Sequence, residues 1–424
     1  MKNQYRLILI IAGWTLWSLG CSDSGGGGGK AAPDTDSDTS AMDSDSASDT
    51  TIADSDSASI DTETLSMDSD SASVDTATAS DAVGTDPTPD TDTIEVITLD
   101  TDTDAESEAA FQAALALYDA GSWMEARQAF DVFVATYPAS ARADNAAYLI
   151  ARCDFQLDDF ESARSGFESF LAAYPASSLL DEGTYFLGRS QYELGAYNQS
   201  VDTFTSLKTD FPDSLFLDNA IYYLGRSYYQ QMDYAAAVVQ FDGVISLPDS
   251  SYRDAALLWA GRSEYEDARR TGTMTQFENA ITYFNTLITD YPQSSYEDNA
   301  VYYRAMASFR LDAFTDALTD FQKIIDVYPG SIYEDNAWYF TGRIRYINQM
   351  SATDLNDAIA AFSTIVENFA TSNYADNSWR WIVYSQVDLG DCAAAQISFA
   401  ALQSQFPGSD QISRADSYLT ANCP

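Results

Sequence analysis

Few residues in this chain are able to do chemistry, and histidine is not among them, because the sequence contains none. That removes imidazole-activated nucleophiles, histidine general bases and histidine metal ligands together. Four cysteines remain, Cys21, Cys153, Cys392 and Cys423. No two of them stand at the spacing of a metal site, so the fates open to them are lipid attachment, disulfide formation and burial. Carboxylates are abundant, 65 against 21 lysines and arginines. Asp34, Asp36 and Asp38 alternate as in a calcium loop. The glycine and distal glutamate that an EF-hand loop needs are missing, so a solvated spacer is the expectation there. No catalytic residue, cofactor site or metal site is expected, and the chain reads as a non-enzyme.

The charge is shared by two dissimilar stretches. Residues 22–104 carry 22 acidic residues and Lys30 alone as a base, and residues 105–424 carry 43 acidic against 18 basic. Phosphate binding needs a basic footprint, so nucleic acid is excluded as a partner. Residues 22–104 are almost entirely Asp, Ser, Thr, Ala and Gly, and Asp-Ser-Asp-Ser-Ala-Ser recurs from Asp43, Asp54 and Asp68. Such a segment has too little apolar surface to offset chain entropy and is expected to be a disordered, self-repelling linker spanning roughly 50 Å. Upstream, Lys2 and Arg6 precede an apolar run from Leu7 to Leu19, too short to span a membrane and suited to a signal peptide. The run ends Ser18-Leu19-Gly20-Cys21, which resembles a bacterial lipobox, with Ser18 where a leucine is usual. Cys21 is the expected lipidation site, and Ser22 in place of an inner-membrane retention aspartate points to the outer membrane.

From Ala105 onward the chain repeats itself. One turn recurs as Tyr137-Pro138-Ala139-Ser140, Tyr174-Pro175-Ala176-Ser177, Phe211-Pro212-Asp213-Ser214, Leu247-Pro248-Asp249-Ser250, Tyr291-Pro292-Gln293-Ser294, Tyr328-Pro329-Gly330-Ser331, Phe369-Ala370-Thr371-Ser372 and Phe406-Pro407-Gly408-Ser409. The spacings are 37, 37, 36, 44, 37, 41 and 37 residues. Proline stops the preceding helix and the serine is placed to cap the next, with Ser294/Glu297 and Ser331/Glu334 spaced as capping boxes. Two helical stretches lie between turns. In the second, Ala and Phe stand at i and i+4, as in Ala237/Phe241 and Ala358/Phe362, and share one face. In the first, Gly188, Gly225, Gly261 and Gly342 recur at one register, the mark of close helix contact. Extra residues fall between paired helices near Arg270–Thr275 and Gln349–Asp354.

A glycine in one helix, alanine and phenylalanine in the next and a terminal proline resemble the tetratricopeptide signature. The resemblance implies an all-α, right-handed solenoid of about eight helix pairs over 105–408. A C-terminal capping helix (409–424) comes after it, and a signal peptide (1–20) and the lipid-anchored linker (21–104) precede it. Within the tetratricopeptide class, the Tyr-Pro-x-Ser turn, the Asp-Asn after it and the lipobox resemble two envelope families. One is the BamD lipoproteins of outer-membrane β-barrel assembly. The other is the CpoB coordinators associated with Tol-Pal, whose place is beside peptidoglycan. BamD has five repeats and little linker, and CpoB carries a coiled coil not seen here. Both imply a protein-binding scaffold at the bacterial outer membrane, with envelope proteins or peptides as partners and the membrane reached through the lipid anchor. A cell-wall-active enzyme is the remote alternative.

Solenoids of this kind bind along their first helices, and one face of those helices repeats here. It reads Asn145, Tyr148, Arg152; Asn219, Tyr222, Arg226; and Asn336, Tyr339, Arg343, with Tyr185/Arg189 and Asn299/Tyr302 as partial versions. Offsets of three and seven residues make a single stripe. It is either a peptide-binding ladder or a structural one in which each arginine pairs with an aspartate of the adjacent repeat, and its regularity favours the structural reading. Symmetry breaks late, at Met306 and then at Trp379, Arg380 and Trp381, so specific contacts are expected in the last repeats. Cys392 opens the last second helix and Cys423 stands just after the closing helix, so a disulfide between them is expected to pin the cap. Cys153 is expected to be a buried small hydrophobe.

Overall fold

The structure, a computed structural model, describes residues 101–423 apart from 249, 349 and 350. The expected signal peptide, the lipidated Cys21 and the linker up to residue 100 lie outside the described residues. The linker's last four residues already belong to the first helix, which begins at Thr101.

Among the described residues there are seventeen α-helices and no strand. In chain order they form pairs: α1 (Thr101–Asp119) with α2 (Trp123–Thr136), α3 (Ala143–Gln156) with α4 (Phe160–Ala173), and α5 (Leu180–Glu193) with α6 (Tyr197–Asp210). Next come α7 (Leu217–Gln230) with α8 (Tyr234–Ile245), α9 (Arg253–Thr271) with α10 (Met274–Asp290), and α11 (Glu297–Arg310) with α12 (Phe314–Val327). The last pairs are α13 (Glu334–Ile347) with α14 (Ala352–Asn368) and α15 (Ala375–Asp388) with α16 (Cys392–Gln405), and the chain closes with α17 (Gln411–Asn422). Each helix packs mainly on its neighbours in sequence, the pattern of a repeat array whose core is built junction by junction.

The glycine register explains the tightness of four of the pairs. A Cβ built on Gly188, Gly225, Gly261 or Gly342 would lie 2.5–2.7 Å from the ring of Phe204, Phe241, Phe284 or Phe362 in the partner helix. The phenylalanine therefore fills the space the missing side chain leaves. All four rings are fully buried.

The turn inside seven of the eight pairs has one left-handed residue among the described residues. It is Gly121, Asp158, Gly195, Met232, Gly272, Asp312 or Gly390, all with φ between 56° and 80°. Glycine adopts this at no steric cost, whereas Met232 does so at roughly 1–2 kcal/mol. An aspartate directly after it caps the second helix in three pairs, as where Asp233 accepts from the Ala236 N–H at 3.2 Å. The extra residues of the fifth pair do not form a loop. They lengthen α9 to 19 residues and α10 to 17, so the insertion is one more helical turn on each side.

The turn between pairs differs from the sequence expectation. Ser294 and Ser331 do not close capping boxes with Glu297 and Glu334. Each serine oxygen accepts the N–H two residues on, from Tyr296 at 3.1 Å and Tyr333 at 3.3 Å, and the helix starts only at the glutamate. Glu334 instead accepts the Gly330 N–H at 2.7 Å. The serine hydroxyl has a second use that overrides capping: it donates to an aspartate of the preceding repeat.

Candidate functional site

The aspartate that opens most first helices makes up to two bonds, and Asp144, Asp254, Asp298 and Asp376 make both. One oxygen accepts the N–H of the next residue, as Asp144, Asp218, Asp254, Asp298, Asp335 and Asp376 all do at 2.7–2.9 Å. The other accepts a hydroxyl from the next turn. Ser177 reaches Asp144, Ser214 reaches Asp181, Ser294 reaches Asp254, Ser331 reaches Asp298 and Ser409 reaches Asp376, all at 2.6–2.8 Å. This row of staples fastens five of the junctions along one edge. The serines and the Asp-Asn pairs stand out in the sequence, but their connection does not. The recurring separation of 33 residues between aspartate and serine is the signal that could have revealed it.

The Asn-Tyr-Arg stripe lies inside the junctions. Tyr148, Arg152, Tyr222, Arg226, Tyr339, Arg343, Arg380 and Trp381 are at most 6% exposed. The structure does not offer these side chains to a partner, so a peptide-binding ladder is not what they form here. Arg189, Arg226 and Arg343 donate to the tyrosine four residues earlier at 3.1–3.3 Å. Across the junction each guanidinium faces a ring, not the expected aspartate. Arg152 lies 3.5 Å from the centroid of Phe186, Arg189 4.0 Å from Tyr223, Arg226 3.8 Å from Trp259, Arg262 4.9 Å from Tyr303 and Arg343 4.7 Å from Trp381. A desolvated cation over an aromatic face is worth about 2 kcal/mol, which helps offset the cost of burying the charge. Arg262 belongs to this column although Ala255 and Leu258 occupy its asparagine and tyrosine places, which is why the triplet pattern missed it. At the sixth pair Met306 takes the arginine place, buried at 2%.

The asparagines and the turn aromatics complete the junction. Asn219 donates to Tyr252 at 3.0 Å and Asn336 to Tyr302 at 2.8 Å, while Tyr333 donates to Asn299 at 2.6 Å. Tyr302/Tyr333 and Tyr339/Tyr374 stack at 4.1 and 4.2 Å.

The last pair reverses the pattern. Arg380 stands at the tyrosine place and Tyr384 at the arginine place, and Arg380 lies 4.5 Å from Trp381. Trp379 is half-buried and donates to Gln405 at 3.2 Å. Asp388 gathers the hydroxyls of Tyr346 and Tyr418 at 3.0 and 2.7 Å. Cys392 and Cys423 are joined as a disulfide with Cα atoms 5.6 Å apart, which ties the end of α17 to the start of α16. Cys153 is a buried thiol, pushed up to about 12 first by burial and then by the Asp154 charge.

With six arginines buried in the junctions, little positive charge is left outside. Arg127, Arg142, Arg164, Arg270, Arg304 and Lys323 are held in ion pairs with carboxylates. The outer surface is therefore acidic, as on α12, where Asp316 and Asp326 are exposed. Among the described residues no helix is long and apolar enough to cross a membrane, and no cluster of His, Cys, Asp or Glu is arranged to hold a metal.

The C-terminal part of a tetratricopeptide repeat-containing protein from Cytophaga hutchinsonii is similar over 63% of this chain and 98% of that part, at 17% identity and a TM-score of 0.51. One from Parabacteroides merdae covers 66% and 99% at 16% identity and 0.44, and the pilF protein of Pseudomonas aeruginosa covers 55% and 96% at 15% identity and 0.41. At 17% identity the first of these likenesses is one of fold: tetratricopeptide-type helix pairs. No curated protein sequence matches. The family described as YfiO, outer membrane lipoprotein, matches three overlapping stretches, residues 103–196, 188–310 and 262–389. Those stretches cover the solenoid from its first pair into its last, and the chain belongs to the YfiO family of outer membrane lipoproteins.

Proposed function

We propose that this protein is a lipid-anchored scaffold of the bacterial outer membrane that holds other envelope proteins, in the manner of the lipoproteins that assist β-barrel assembly. One observation carries the reading: a family of outer membrane lipoproteins matches three successive overlapping stretches of one helix-pair array. The array is therefore that family's architecture extended along its axis, and extension adds surface for partners without adding a catalytic centre. The division into a signal peptide (1–20), an acidic tether (21–104), eight repeats (105–408) and a closing helix (409–424) fits this role. Cys21 would carry the acyl chains, and two or three of them hold a protein stably because each buried methylene adds about 0.8 kcal/mol. The acidic tether would carry the repeats away from the membrane surface.

With the Asn-Tyr-Arg stripe consumed in the junctions, partner contacts fall to the outer surfaces and to the last repeats, where Trp379 is partly accessible. The test is crosslinking in the native cell and then mass spectrometry on the full, lipidated chain. Crosslinks from residues 105–424 to outer-membrane β-barrel proteins or their assembly factors are expected. Recovery of uncrosslinked monomer alone overturns the reading. Retention on purified sacculi with no β-barrel crosslinks would move the assignment to the Tol-Pal coordinators beside peptidoglycan.

A further inference from the structure

Two junctions lack the staple, those of Asp218 and Asp335, and at the second the gap has the makings of a binding site. At the turn between the seventh and eighth pairs the proline is replaced by Ala370, and the turn reads Phe369-Ala370-Thr371-Ser372. Asp335 is the aspartate of that junction. One of its oxygens accepts the Asn336 N–H at 2.8 Å, as in the other repeats. The other has no donor among the described residues, because the Ser372 hydroxyl does not reach it. Ser372 still accepts the Tyr374 N–H at 3.1 Å, so the turn itself is formed and only the link across the junction is missing. Between the two lies a cleft of about 360 Å³ lined by Asp335, Asn368, Phe369, Thr371, Ser372 and Asn373.

We infer that this cleft binds a cationic side chain, the ammonium of a lysine or the guanidinium of an arginine, presented by a partner protein. Three observations converge. At five other junctions the corresponding carboxylate oxygen takes a hydroxyl donor at 2.6–2.8 Å, so its place in the fold favours a donor, and here that place is open to solvent. A charged donor makes a stronger bond to carboxylate than a hydroxyl does. The remaining lining fits the rest of such a side chain. Asn368, Asn373 and Thr371 offer oxygens to further N–H groups, and Phe369 offers an apolar wall for the methylene stem. Finally, the repeats carry 43 acidic against 18 basic residues, so the surrounding field draws cations toward the cleft and repels anions. The volume suits one side chain rather than a folded ligand.

The source of the side chain rests on the scaffold reading, but the test does not. The full mature chain, labelled with ¹⁵N at asparagine, is titrated with N-acetyl-lysine methylamide and, separately, with the isosteric norleucine compound. Saturable shifts at Asn368 and Asn373 are expected for the lysine compound, with binding at least about tenfold weaker for norleucine. Asp335→Asn should abolish the shifts, and Asp298→Asn, at a stapled junction, should leave them intact. Asn373→Lys places an ammonium beside the cleft from the chain itself and should block the probe without touching the aspartate. Higher salt should weaken the lysine shifts. Equal shifts with norleucine, shifts spread over all asparagines, or binding that survives both Asp335→Asn and Asn373→Lys would each overturn the site. A partner found by crosslinking with no response to the probe would leave the scaffold standing and remove the cleft.

Discussion

The second to fourth pairs and the eighth pair share one template but hold together by different means. The second and third pairs are each fastened twice to the next, by a guanidinium over a ring and by an aspartate–serine bond, and the fourth keeps the guanidinium, Arg226 on Trp259. Arg189 on Tyr223 with Ser214 on Asp181 is one such double fastening. The eighth pair is followed, among the described residues, by the single helix α17 in place of a pair. Its arginine and tyrosine have changed places, its glycine register is Val383, and α17 supplies half a repeat held by Ser409–Asp376 and by the Cys392–Cys423 bond. An interior repeat draws part of its stability from the next repeat in the stack, so an end repeat must find a substitute. Here the substitutes are covalent and aromatic.

The largest expected effect breaks that substitute. Replacing Cys392 and Cys423 by serine removes a cross-link over 31 residues of sequence, worth about 3.5 kcal/mol in the loop-entropy account. The loss should be local. Hydrogen exchange should speed up in α15, α16 and α17 and stay unchanged in α3 to α8. A uniform change along the array would mean that the end repeat is not an independent stability unit.

Next is Gly225→Val, which imports the valine of the last repeat into an interior one. Val383 is tolerated at its own place, where Phe399 is only partly buried. At Gly225 even a Cβ would lie 2.7 Å from the fully buried ring of Phe241. Overpacking of this kind costs about 3 kcal/mol, read as a lower urea midpoint for the central repeats. An unchanged midpoint would show that the glycine register is not the reason for the close approach. A smaller effect is expected from Arg226→Met, which copies the sixth pair, where Met306 already stands in the column. Loss of the contact with Trp259 and of the bond to Tyr222, partly offset by no longer burying a charge, should cost about 2 kcal/mol, again read from the urea midpoint.

Much of this was legible in the sequence, and the reasons are specific. The helix pairs and their count could be read because Pro, Ala/Phe and Gly act locally, each through the backbone or through one neighbouring helix. The roles of Asp144 or Arg226 could not, because each is decided by a residue 33 positions away whose type, on the ring side, varies from Phe to Tyr to Trp. The stripe reads either as a surface or as structure in the sequence, with its regularity favouring structure, because Asn, Tyr and Arg are polar. Flat stacking of a guanidinium on a ring buries all three, and no periodicity within a single helix distinguishes that from exposure. The insertion at the fifth pair misled for the opposite reason: extra residues suggest a loop, yet Glu264 to Thr271 continue a helical pattern and simply lengthen α9.

The smallest expected effect isolates the staple itself. Ser214→Ala removes two bonds, the one it donates to Asp181 at 2.7 Å and the one it accepts from Phe216 at 3.1 Å. Ser372→Ala removes only the second kind, since Ser372 accepts from Tyr374 but does not reach its aspartate. Both serines make the same bond within the turn, so the difference between the two substitutions measures the link across one junction. It should be about 1 kcal/mol, within the range for a hydrogen bond to a charged acceptor that solvent partly reaches. Because repeats unfold in parts, the comparison is best made by local hydrogen exchange in α5 and α7 for the first variant, and in α13 and α15 for the second. Equal losses would mean that the aspartate–serine bond adds nothing beyond the turn. A larger loss for Ser372→Ala would place a partner for that hydroxyl in the cleft beside Asp335.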